Sequence, residues 1–124
     1  MTGNDYQKLA MRTNDGNSKK RLQRQLDSGI SMSISDVLVA CLGLSGEVGE
    51  LTGMVKKFIF HETSLDEIHF QKELGDIMWY IALMCEACGY DMDRIMQMNI
   101  KKLKSRYPEG FNVYAANHRH KGDI

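Results

Sequence analysis

Proline is almost missing from this 124-residue chain, with Pro108 the single instance, so the commonest interruption of helices is absent. Strand signals are scarce too. The one alternating stretch, Ile30-Ser31-Met32-Ser33-Ile34-Ser35, is short and has no partner of the same pattern. Net charge is also lacking, because Lys plus Arg and Asp plus Glu are 16 each. No bulk basic field therefore argues for nucleic acid or an anionic membrane, and an anionic ligand must be held locally. The three cysteines Cys41, Cys85 and Cys88 cannot all pair within the chain, and no charged segment followed by an apolar one opens it, so a reducing cytoplasm is the expected location. The richest apolar stretch is broken by Glu47, Glu50, Lys56 and Lys57, short of the ~20 residues that span a bilayer, and a soluble protein is expected.

What is present is helical periodicity. Tyr6, Leu9, Ala10 and Thr13 predict a first helix over about residues 4–13 behind an Asn4 cap, stopped by Asn14-Asp15-Gly16-Asn17. Residues 18–35 read as a connector, since Gly29 and the serines outweigh a short helical signal from Lys19 to Leu26. A second helix is expected from Ser33–Asp36 to about Phe60, with Leu44, Val48, Leu51, Val55 and Phe58 as its buried stripe. The capping box Ser64-Leu65-Asp66-Glu67 opens a third helix that ends before Gly89, with Phe70, Leu74, Ile77, Ile81 and Met84 as its stripe. Asp91 caps a fourth helix through about Ser105, closed by Pro108 and Gly110. The expected fold is all-α, a four-helix-type bundle over residues 1–111, with a polar tail over 112–124 that a ligand or neighbouring subunit would order.

Glu47 and Glu50 stand three residues apart, about 60° around the helix axis and about 4.5 Å along it, so they share a face. Glu73 and Asp76 repeat the spacing on the next helix, and a short turn makes the two helices antiparallel neighbours. Four acids meeting beside apolar stripes would repel one another and lose hydration unless a cation neutralises them. Oxygen-only donors suit magnesium, with manganese as a substitute. A solvated face answering Lys56, Lys57 and Lys72 explains either pair alone, but explains two matched pairs poorly. Gly43, Gly46 and Gly49 flank the first pair, each at a helix-propensity cost of roughly 1 kcal/mol. Close approach of a helix or ligand is the expected compensation. On the fourth helix Asn99, Lys102 and Arg106 form one polar ridge able to meet a phosphate chain, and Tyr80 follows Asp76 by one turn, on the side of the acids. Trp79 reads more as core packing than as a base-stacking platform.

The chain resembles the MazG-like all-α nucleotide pyrophosphohydrolases through Gly46-Glu47-Val48-Gly49-Glu50 and Lys72-Glu73-Leu74-Gly75-Asp76, an ExxE and an ExxD motif in order. The resemblance extends through Ile77-Met78-Trp79-Tyr80, Asn99 to Pro108 and Tyr6 to Thr13. It implies hydrolysis between the α and β phosphates of a nucleoside triphosphate, giving a monophosphate and pyrophosphate, in a homodimer or dimer of dimers. It further implies that Glu47, Glu50, Glu73 and Asp76 bind the metal, that Glu47 or Glu50 activates water, and that Tyr80, Asn99, Lys102 and Arg106 hold the substrate. Met92, Met96 and Met98 would suit a subunit interface. A phosphoribosyl-ATP pyrophosphohydrolase shares this acidic logic, and a non-catalytic nucleotide-binding module is the alternative from another class.

Other chemistries fit less well. A di-iron bundle needs Glu-x-x-His pairs, whereas Glu50 and Asp76 occupy those positions. Cys85-Glu86-Ala87-Cys88 has no second cysteine pair to complete a zinc site. Lys19, Lys20, Arg21 and Arg24 lack interleaved aromatics, so nucleic acid is not an expected partner. His118 and His120 flank Arg119 in a tail expected to be exposed and disordered.

Overall fold

A computed structural model describes residues 1–119. The chain forms α1 (Gly3–Ala10), α2 (Ser18–Asp27), α3 (Ile34–Phe60), α4 (Glu67–Cys88), α5 (Met92–Arg106) and α6 (Val113–Asn117), with a 3-10 turn at Met11–Thr13. No strand occurs among the described residues; an isolated bridge joins Pro108 to Gly110. The fold is therefore all-α, as the periodicity implies.

Local chemistry explains the boundaries, with three departures from expectation. Thr2, not Asn4, caps α1: its hydroxyl accepts from Asp5 N–H, and the Asp5 carboxylate accepts from Thr2 N–H, a reciprocal box that starts the helix two residues earlier than an Asn4 cap would. Residues 18–27 are helix rather than connector, anchored where Arg21 pairs with Asp15 across the preceding turn. Asp66, not Ser64, caps α4, its carboxylate accepting from His69 N–H at 3.0 Å. Ser33 and Asp91 cap α3 and α5 as expected, and Gly89 ends α4 at φ 69, the left-handed conformation glycine adopts at no steric cost. The tail is not wholly irregular: Asn112 caps the short α6.

α3 and α4 pair along their length, the one extensive interhelical contact among the described residues. Ser33 N–H donates to the Ala87 carbonyl at 2.8 Å, Gly43 faces Tyr80, and Glu47 lies with Glu73 and Asp76. Rising numbers on one helix meet falling numbers on the other, so the pair is antiparallel.

The expected stripes are only half covered. Among the described residues Ala40, Cys85 and Ala87 form the buried apolar set, while Val48, Val55, Phe58, Leu74 and Ile81 stay exposed. Trp79, read from sequence as core, is 60% exposed and meets the Tyr80 ring edge-on with centroids 5.1 Å apart. One hairpin has a single inner seam, so a stripe wider than that seam cannot be buried by one neighbour. α3 is also long and apolar enough by length and composition to cross a membrane, with a mean hydropathy of 1.3 in its most apolar window, although Glu47, Glu50, Lys56 and Lys57 were expected to break its apolar run short of that.

Candidate metal centre

The α3–α4 seam delivers three of the four predicted acids to one point. Glu47, Glu73 and Asp76 each place a carboxylate oxygen within 4.8 Å of the others. An octahedral cation with bonds of about 2.1 Å sets its ligand oxygens about 3 to 4 Å apart, so these side chains need only close slightly. Glu50 is exposed and falls outside this trio, but its charge reaches Glu47 and its side chain comes within hydrogen-bonding reach of Glu73.

Burial is unequal within the cluster. Glu73 is 7% exposed, Glu47 half-buried, and Asp76 open to solvent. Glu73 Oε1 accepts from His69 Nε2 at 2.8 Å, one helical turn earlier. Its other oxygen, Oε2, is buried without a hydrogen-bond partner. Leaving such an atom unpaired costs free energy that a native fold recovers through a ligand or a proton.

Protonation follows from the crowding. The hydrogen bond shared with Glu73, then desolvation, then the charges of Glu50, Glu73 and Asp76 push Glu47 up to about 6. The same shared bond holds Glu73 below its usual range, against desolvation and with help from His69 and Glu50. Below about 6 the coupled pair therefore holds one proton between its two carboxylates, and above it the buried Glu73 Oε2 is left without a donor. The donor set is all oxygen and the buried Oε2 has no other partner, so these residues fit a hard divalent cation.

Tyr80 is half-buried, its ring against the Gly43 backbone so closely that a Cβ there would overlap it. Gly46 and Gly49 face open space, so the close-approach reading of the glycine ladder holds at Gly43 alone. On α5, Lys102 and Arg106 are half-buried and Asn99 is exposed, but α5 does not pack extensively on α3 or α4. In the tail, the exposed His118 bonds the Tyr114 carbonyl through Nδ1 at 2.8 Å and its ring stacks on Tyr114 at 3.9 Å; His120 lies outside the described residues. Sequence reasoning missed His69. Its signal was available, four residues before Glu73 on the same helix, but a histidine beside one acid of an established motif adds little until burial shows which acid needs a partner.

The MazG nucleotide pyrophosphohydrolase domain matches residues 29–111, which include both acidic motifs, the seam that joins them, and the α5 ridge. The chain belongs to that family. A relative in Mycobacterium phage L5, the Gene 37 protein, is 34% identical over 82 residues, spanning 63% of this chain and 72% of its own length. No solved structure matches the chain.

Proposed function

We propose that this protein is a magnesium-dependent hydrolase of (deoxy)nucleoside triphosphates, cleaving between the α and β phosphates to release a monophosphate and pyrophosphate. The observation that carries the reading is the buried, unpartnered Glu73 Oε2 inside a cluster of three carboxylates. Family membership supplies the reaction class. Glu47, Glu73 and Asp76 are the residues to hold the cation, which when bound would offset phosphate charge and acidify water. Glu50, beside the cluster but outside it, is the carboxylate left to orient the attacking water and take its proton. Lys102, Arg106 and Asn99 are assigned to the phosphates, and Tyr80 to positioning.

In this reading the functional unit is a homodimer or dimer of dimers, for two reasons. The apolar faces of α3, α4 and α5 lie open in the single chain, and α5 does not pack extensively on the two helices that carry the acids. A second copy can cover the first and supply the ridge across the interface.

The test is pyrophosphate release from a panel of ribo- and deoxynucleoside triphosphates, with magnesium and with chelator. Chelator-sensitive release of pyrophosphate plus monophosphate is expected; orthophosphate release, or none from any member, would refute the assignment. The division of roles predicts that Glu47→Gln loses Mn2+ binding and turnover together, whereas Glu50→Gln keeps Mn2+ binding and loses turnover by about 100-fold or more. Isothermal titration alongside the assay separates the two, and equal Mn2+ loss in both variants would place Glu50 among the ligands instead.

A further inference from the structure

His69 occupies the first turn of α4, where its backbone N–H is held by the Asp66 cap at 3.0 Å. The main chain of this residue is thus fixed independently of its ring. The ring reaches one turn onward, and Nε2 meets Glu73 Oε1 at 2.8 Å. The two ends of this contact differ sharply in surroundings: the His69 side chain is 56% exposed, that of Glu73 only 9%. An ordinary surface pair at this spacing joins two solvated groups and orders neither. Here the partner is a flexible acid enclosed in the seam, with one oxygen tethered and the other bare.

We propose that His69 is a positioning residue for the metal centre: by donating from Nε2 to Glu73 Oε1 it fixes the carboxylate plane and turns the unpartnered Oε2 toward Glu47 and Asp76. The inference rests on the metal-centre reading above and adds a residue outside both acidic motifs. Its chemistry is that of an outer hydrogen bond to a ligating carboxylate. Such a bond selects one rotamer before the cation arrives, and its loss typically lowers metal affinity or activity about 10- to 100-fold. The neutral tautomer with hydrogen on Nε2 suffices for this bond.

The experiment is Mn2+ binding to the full chain, followed by electron paramagnetic resonance, for wild type, His69→Ala, His69→Gln and Glu73→Gln, with circular dichroism melts of the metal-free proteins. His69→Ala is expected to bind Mn2+ about 10- to 100-fold more weakly with an unchanged melting temperature. His69→Gln, whose amide N–H can donate to the same oxygen, is expected to restore most of the affinity. In turnover, the loss should fall on the metal concentration for half-maximal rate and leave kcat at saturating metal near wild type. Wild-type Mn2+ affinity in His69→Ala, while Glu73→Gln loses binding, would overturn the positioning role and leave the metal centre standing. Wild-type affinity in Glu73→Gln would overturn both. A loss in His69→Ala that comes with a lowered melting temperature, and that Gln does not reverse, would show a structural role and also overturn it.

Discussion

Glu73 and Glu47 show how two like side chains in one cluster acquire opposite tendencies. Glu73 is enclosed but receives hydrogen bonds, which favour its charged form; Glu47 supplies one of those bonds and faces three other acids, which favour its proton. The consequence for metal binding has a definite sign. With Glu47 raised to about 6, a cation arriving below that pH must displace a proton, and above it need not. Mn2+ affinity is therefore expected to fall as pH drops through about 6, by up to ~10-fold per unit for one displaced proton. Titrations at pH 7.5, 6 and 5 check this, and a flat profile would contradict the shared proton. For the metal-free fold the sign is reversed: the contribution of Glu47 is present at low pH and lost as pH rises through about 6. Both acids stood out as candidate ligands in the sequence, yet their difference in protonation did not, because it depends on which oxygen is enclosed and what faces it.

Among the helices, α3 and α4 carry the site, and their register is set by close contact at Gly43. Propensity alone says that Gly43→Ala should stabilise α3 by up to ~1 kcal/mol. The Tyr80 ring occupies the space a Cβ needs, and overpacking of this kind costs typically ~1–3 kcal/mol. A net loss of stability in chemical denaturation is expected for Gly43→Ala, and a gain would show that Tyr80 moves aside freely. The same pair illustrates the limits of the linear pattern. Three glycines at equal spacing look equivalent in sequence, but one faces an aromatic ring of α4 and two face open space. Helix α2 was underread for a related reason. Its polar sequence offers no apolar stripe, and the ion pair between Arg21 and Asp15 joins residues that local propensity treats separately.

For the whole molecule the deciding fact is how little one chain encloses. Leu42 is 75% and Phe60 78% exposed, and the described apolar core comes down to Ala40, Cys85 and Ala87. A domain of this length is stable only if it buries most of its apolar surface, so association is expected to be part of folding. Light scattering should give a mass of at least twice 14.1 kDa, and the unfolding midpoint should rise with protein concentration. A monomeric mass with a concentration-independent midpoint would contradict the assembly, and partition of the chain into lipid vesicles would assign the open face of α3 to a membrane. The sequence by itself determined the helical class, most helix ends, and the four acids on two facing helices, since each follows from local spacing and capping chemistry. Tertiary structure alone decided that Glu73 is the enclosed member, that Glu50 sits at the edge of the cluster, outside its closest trio, that His69 reaches the cluster, and that the stripes outrun their seam. Those facts depend on the distance and angle between helices, and side-chain order along one chain does not encode them locally.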